Sequence, residues 1–263
     1  MIVIESGFAG ITYDLKTPRI GAYPLTGTVT GSTSTAGYDA SLAANQWTYQ
    51  FWRPTAMPAT WEINFGATKS VSYFGIAAHN LGTKAATVDF QTWNGSAWVT
   101  VASHSPTDDT PILCLCATKS CPKARISISG ASAPDIGVIQ FGSVTEFPQR
   151  AAYVGRSDYS DLVEVAYRNV QSDGGHVLGR YYDRKSQSVK LAVENLSDAW
   201  KASTLDPLIA HFRDYAVFIA DRPATFPASV AFGRTAGAVT PDRGVANSAV
   251  SVNVSMDFIC HVV

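Results

Sequence analysis

Charge is scarce in this chain of 263 residues: Asp, Glu, Lys and Arg make up 16% of it, against 46% hydrophobic residues. That balance excludes a self-repelling disordered chain and leaves apolar side chains enough for one or two cores. Neither sign dominates. The formal net charge is -1, and Pro148 divides 8 Lys+Arg and 9 Asp+Glu from 12 and 12. Neither half is a basic surface suited to gripping phosphates, so nucleic acid is not an expected partner. Long apolar runs are also missing. Pro111 to Cys116 falls far short of the ~20 residues a spanning helix needs, and Met1-Ile-Val-Ile-Glu5 lacks the basic region and apolar stretch of a secretory leader. A soluble chain without a membrane span is expected. Cysteine is sparse: Cys114, Cys116, Cys121 and Cys260 are too few and too uneven for a disulfide scaffold. Their spacings match no common zinc knuckle. Ile112, Cys114 and Cys116 instead recur at period two, which predicts one face of a buried strand.

What the chain does contain is Gly, Ser, Thr, Val, Tyr and Phe in short apolar segments separated by turn clusters, with no long helical periodicity before Pro148. The expected fold is mainly β, a sandwich over 1–148. Candidate strands run over 60–65, 71–78, 86–93, 98–104, 111–117, 124–129 and 136–147. Asn94-Gly95 marks a tight hairpin, and Thr26 to Gly37, uncharged and rich in small residues, reads as a mobile loop. After Pro148 a small α+β domain over 149–263 is expected. Strands at 161–170 and 176–182 flank Asp173-Gly174-Gly175, and a third lies at 188–194. One helix is predicted over Thr204–Tyr215, with Ser197 to Trp200 as its approach turn and Pro207 near its start. Strands at 216–220 and 229–233 and one long closing strand over 246–262 complete the domain.

Four segments resemble, in order, the core strands of the discoidin-type, galactose-binding-like jelly roll of coagulation-factor type C modules and many carbohydrate-binding modules. They are Ala59-Thr-Trp61-Glu-Ile-Asn-Phe-Gly66, Val71-Ser-Tyr-Phe-Gly-Ile-Ala77, the hairpin from Val88 to Val101 with Trp98, and Ala124-Arg-Ile-Ser-Ile128. The whole chain also resembles tailed-bacteriophage structural proteins that join such a module to a small C-terminal domain. The segments are Phe51-Trp-Arg-Pro-Thr-Ala-Met-Pro-Ala-Thr-Trp61, Gly174-Gly-His-Val-Leu-Gly-Arg180, Leu205-Asp-Pro-Leu-Ile-Ala-His211 and Asp221-Arg-Pro-Ala224. That second resemblance implies a virion tail or tail-tip component, made in the host cytoplasm. Its C-terminal domain would build a homo-oligomeric ring against tube, hub or tail-tip proteins, and its jelly roll would touch host surface glycans. A carbohydrate-binding module with no virion role is the alternative.

Candidate site residues follow. The segment Gln46–Arg53 precedes the first core strand, where discoidin-like modules hold ligands: Trp47, Tyr49 and Trp52 would stack on sugar faces and Arg53 would bond hydroxyls. Packing of Phe51 and Trp52 into the barrel end is the competing reading. The family's calcium site, where present, would fall on Asp39 and Asn45, and a single carboxylate there is thin for a hard cation; no other cofactor is implied. No nucleophile-base pair, phosphate loop or metalloprotease motif is present, so no enzyme is expected. His176, Arg180, Arg184, His211 and Arg222 are the expected subunit contacts, as bidentate or packing groups.

Overall fold

The computed structural model describes residues 1–152, 159–246 and 249–262. It is 53% strand with a minor helical segment. The strands are β1 (Ile2–Ile4), β2 (Arg19–Pro24), β3 (Thr28–Gly31), β4 (Ala59–His79), β5 (Thr87–Trp93), β6 (Trp98–His104), β7 (Ile112–Ser129) and β8 (Ile136–Glu146) in the first part. They are followed by β9 (Val163–Gln171), β10 (Val177–Leu196), β11 (Val217–Ala220), β12 (Val230–Thr235), β13 (Asp242–Ala246) and β14 (Ala249–Cys260). Hydrogen bonds join them in the order β6-β5-β7-β4-β8-β2-β11-β12-β14-β10-β9, with β1 on β7, β3 on β4 and β13 on β14. All pairs are antiparallel except β1 with β7.

Two pairs of expected strands are single bent ones. β4 joins 60–65 to 71–78, and β7 joins 111–117 to 124–129; the β4–β7 register slips between Asn64 and Lys69, so one ladder continues through a bulge. On the first leg of β4 only Ala59, Trp61, Ile63 and Phe65 are buried, whereas Val71 to Ala77 are buried throughout. The second leg is covered on both faces. Phe74 and Ile76 enter the sandwich core, while Tyr73 and Ala77 enter a second core shared with Phe218 and Phe232. Gly75 lies against that shared core, where an added Cβ would come within 2.4 Å of the Phe218 ring. Ile112, Cys114 and Cys116 line the sandwich side of β7 as the spacing predicts, and Leu113 and Leu115 line the other. Burial pushes the Cys116 thiol up to about 12, away from the thiolate that a metal would need.

Thr26 to Gly37, expected as a mobile loop, contains β3, paired from Thr28↔Asn64 to Gly31↔Trp61. Small polar residues mask a strand whose partner supplies the hydrophobic side. β2 was not foreseen. It pairs with β8 on one edge and β11 on the other, so the ladder runs unbroken from the first strands to the last. At its start Arg19 is fully buried: Nε lies 3.2 Å from Glu146 Oε1 and Nη2 donates to the carbonyls of Tyr13 and Asp14 at 2.7 Å. Glu146 also accepts the backbone N–H groups of Ile11, Thr12 and Tyr13. A buried ion pair is tolerable only with its remaining polar atoms so satisfied.

A third core gathers β2, β10, β11, β12 and β14 around Leu205, Leu208 and Phe212. Those three belong to the helix, which starts earlier and ends earlier than predicted. It comprises α1 (Asp198–Trp200), a π turn over Lys201–Leu205 and α2 (Asp206–Phe212). Ser197 caps it, its hydroxyl accepting the Trp200 N–H at 3.2 Å. The π turn immediately precedes Pro207, whose missing N–H cannot continue a regular helix, so the chain passes it inside the helix. The expected closing strand is β14, and β13 pairs with it from Asp242↔Asn253 to Ala246↔Ala249. Strands 176–182 and 188–194 are one, β10, which outruns its neighbours: from Gln187 on it pairs with β14, but over 177–186 it has only β9. No helix among the described residues is long and apolar enough to cross a membrane.

Candidate functional site: an aromatic cleft beside the middle of the sheet

The segment before β4 turns outward at Asn45. Its side-chain oxygen accepts the Trp47 N–H at 2.7 Å and its amide donates to Gln50 Oε1 at 2.7 Å, an Asx turn that breaks off the 3-10 turn over Ala40–Ala44. Gln46 then reaches across to the chain beyond α2: its amide donates to the Asp214 carbonyl at 3.1 Å and its oxygen accepts the Ala216 N–H at 2.7 Å. Trp47 and Tyr49 are left on the surface, 45% and 72% exposed, with ring centroids 6.3 Å apart. Arg234 of β12 lies over the Trp47 ring at 5.2 Å.

Opposite stand three more rings. His211 of α2 stacks on Tyr215 at 4.6 Å and meets Tyr23 of β2 at 4.5 Å. The Tyr23 backbone N–H points at His211 Nε2, 3.3 Å away, so that nitrogen accepts and the ring is neutral. Burial acts in the same direction, lowering the His211 pKa.

Trp47 from the first group and Tyr215 from the second line a cleft of about 280 Å³. Leu25, Ile63, Ile139 and Phe141 line its apolar surface, and Asn45, Trp47 and Tyr215 line its polar and aromatic one. Gln140 of β8 also lines it, only 5% exposed, and its side-chain oxygen accepts no hydrogen bond among the described residues. A buried acceptor without a donor costs about 1–3 kcal/mol, so an ordered water or a ligand is expected to supply one. Aromatic faces around an apolar floor with few polar groups fit a small ring-shaped, hydroxyl-bearing ligand.

The structure separates the other predicted residues. Trp52 is a correction: it is fully buried, its backbone bridging Ile136 and its indole N–H donating to the Thr33 carbonyl at 3.0 Å, so it packs the barrel end and presents no face to a ligand. Arg53 belongs to a different cluster. Its guanidinium grips Asp135 through two bonds, 2.5 and 3.0 Å long, and covers the stacked rings of Tyr38 and Phe51. Its donors serve to tie the loop before β4 to the loop before β8. Asp39 precedes the 3-10 turn without a side-chain bond to it, and the Asn45 amide is spent within its own turn. No group of three His, Cys, Asp or Glu that could hold a metal occurs among the described residues.

Of the expected contact residues, His176 sits at the tip of the β9–β10 hairpin, and Arg180 and Arg184 lie exposed along it. Arg180 covers Tyr167 at 4.9 Å and donates to Asn169. Arg222 turns inward, donating to the Ala151 carbonyl at 3.4 Å. His211 lines the aromatic group beside the cleft. Tyr23, Gln140 and Tyr215 were not among the predicted site residues: Gln140 and Tyr215 lie in stretches whose pattern reports only strand or helix end, and Tyr23 lies in β2, which has no pattern of its own.

No family model matches the chain, and no curated protein does. Solved structures do align over a little under half of it. Among them are chitosan-binding module 1 of a Paenibacillus sp. IK-5 chitosanase/glucanase, at 18% identity, covering 46% of this chain and 98% of that one with a TM-score of 0.41. The family 32 carbohydrate-binding module of C. perfringens NanJ in complex with galactose aligns at 16% identity, 48% and 99% coverage and a TM-score of 0.41. A pectin-binding module aligns at 14% identity, 46% and 92% coverage and a TM-score of 0.38.

Proposed function

We propose that this protein is a non-enzymatic glycan-binding protein whose saccharide site is the cleft between Trp47 and Tyr215. The observation that carries the reading is a cleft with an apolar floor and the exposed rings of Trp47 and Tyr215 at its rim, with Gln140 among its lining residues. A sugar fits such a site with its C–H face against Trp47 or Tyr215. Calorimetry of the purified chain against a panel of oligosaccharides tests this, with Trp47→Ala and Gln140→Leu alongside. At least one sugar bound by the native chain and lost in both variants is expected. Equal binding by all three proteins, or none by the native chain, would sink the cleft as the site.

A second reading, assembly into a phage tail or tail tip, is favoured by the β9–β10 arm. Over 177–186 this ribbon has no third strand, yet with its β9 partner it carries Tyr167, Val177, Leu178, Tyr181 and Tyr182, each more than half exposed. A two-stranded ribbon is marginal alone, and unsatisfied strand edges with apolar side chains invite a partner. In this reading the arms, with His176, Arg180 and Arg184, join copies into a ring or dock on tube and hub proteins. The ring would then multiply weak sugar contacts into avidity for a host surface. Light scattering of the full chain distinguishes the readings: a discrete oligomer that Leu178→Asp with Tyr181→Asp converts to monomer supports assembly. A monomer indifferent to that change and to tail proteins leaves a free-standing glycan-binding module.

A further inference from the structure

Trp47 has a second neighbour besides the cleft. A hollow of about 390 Å³ lies against the other elements that hold it, lined by Ile209, Phe212, Arg213, Arg234, Thr235 and Val239. Arg234 links the two spaces, because the same guanidinium that lines this hollow covers the Trp47 ring at 5.2 Å. Its Nη2 donates to the Asp214 carbonyl at 3.0 Å, the same oxygen that holds Gln46. Arg234 thus meets a carbonyl and an aromatic face, and among the described residues it has no ion-pair partner. Arg213, one turn-end residue away on the same hollow, is exposed and makes no ion pair among the described residues. The acids on the packed elements do not neutralise either one. Asp206 pairs with Lys201, while Asp214 and Asp257 form no ion pair with Arg213 or Arg234 among the described residues.

We propose that the ligand is an acidic glycan: the cleft takes a sugar ring against Trp47, and a carboxylate or phosphate on the same or the adjoining sugar is held by Arg234 and Arg213 in the neighbouring hollow. The inference rests on the glycan reading of the cleft. Two arginines beside an apolar wall of Phe212, Ile209 and Val239 present forked donors, which favour a doubly accepting oxyanion over a neutral hydroxyl. Arg234 lies 5.2 Å from the Trp47 ring, so an anion held by its guanidinium and a sugar ring on Trp47 are within reach of one ligand.

The test is calorimetry of the full-length chain with three probes: a neutral chito-oligosaccharide, an oligogalacturonate and a glycerol-phosphate oligomer. Arg213→Gln, Arg234→Gln and Trp47→Ala are measured beside the native protein, at low salt and at about 0.5 M salt, where surface charges are largely screened. One acidic probe should bind at least tenfold tighter than the neutral one and lose that advantage in salt; Arg213→Gln should weaken it about tenfold, as loss of a charge-assisted bond does. Whether oligogalacturonate or the phosphate oligomer prevails identifies the acid. Arg213 is exposed, so its variant folds even if Arg234→Gln disturbs Trp47. Neutral binding as tight as acidic, and indifferent to both arginine variants, overturns the inference and leaves the cleft reading standing. Acidic binding that Trp47→Ala leaves intact overturns it too, since the arginines would then hold an anion without a sugar ring. Absence of any binding that depends on Trp47 fails the cleft reading itself.

Discussion

Trp47 and Trp52 share one short segment and meet opposite fates. Trp52 is held inward by its backbone bridge to Ile136 and the bond of its indole to Thr33, and nothing of it reaches solvent. Trp47 is held outward by the Asx turn at Asn45 and the reach of Gln46 to the chain past α2. Residue type does not decide between interior and open face here; the local backbone bonds do. The interior bonds the Trp52 indole and pairs Arg19 with Glu146, whereas the open face leaves the Trp47 and Tyr49 rings and Arg213 to solvent.

The contrast is broken most severely at Trp52. Trp52→Ala removes a fully buried indole from the sandwich core and should cost about 3–5 kcal/mol, read as a fall in the urea midpoint. Glycan binding per folded molecule should survive. A second blow of similar size falls on the buried ion pair. Glu146→Ala leaves Arg19 charged and enclosed and also frees three backbone N–H groups, an expected loss of about 3–5 kcal/mol. Removing both charges with Arg19→Met and Glu146→Leu should recover part of that loss, and no recovery would mean that the bonds to the 11–14 loop matter more than the charge.

The interior can also be opened with acid. His79 is buried, its Nε2 bonded to the Thr110 carbonyl and its Nδ1 accepting the Leu81 N–H, and burial lowers its pKa from 6.5 to about 4. The unfolded chain therefore binds the proton first. Stability from this group is full above pH 6.5, falls as pH drops from 6.5 toward 4, and is wholly lost below it, about 3 kcal/mol in all. Denaturant midpoints at pH 7 and pH 4.5 measure the slope, and His79→Gln should flatten it. His211 is shifted in the same direction, so binding at the cleft should weaken along the same acid branch as Tyr23 loses its acceptor.

How much of this was legible depends on whether a residue's fate is local. The alternation of Val252, Val254, Met256 and Phe258 marks β14, and the spacing of Cys114 and Cys116 marks β7, because a strand with one sealed face writes its period into the chain. β2 leaves no such mark. Its Arg19-Ile-Gly-Ala-Tyr-Pro run contains a buried arginine whose partner Glu146 lies across the fold, and its Gly21 packs against the Tyr73 ring. β3 is hidden in a run of small polar residues, and the π turn that carries the chain past Pro207 has no sequence signal. At the site, Trp47 and Tyr49 were foreseen as exposed aromatics, and Trp52 was placed beside them only because its bridge to Ile136 is invisible in sequence. Tyr23, Gln140 and the His211–Tyr215 pair come from three distant stretches that only the continuous ladder through β2 and β11 brings together.

The smallest expected effect sharpens the comparison most. Trp47 rests on Arg234 and Tyr49 without entering any core, so Trp47→Ala should shift stability by no more than about 0.5 kcal/mol, the range of surface substitutions. An unchanged urea midpoint beside lost oligosaccharide binding would establish that this tryptophan is kept for a ligand. A loss of several kcal/mol would instead make Trp47 a clasp between the Gln46 loop and the end of α2. Its exposed face would then be incidental, and the functional surface would have to be sought along the β9–β10 arm.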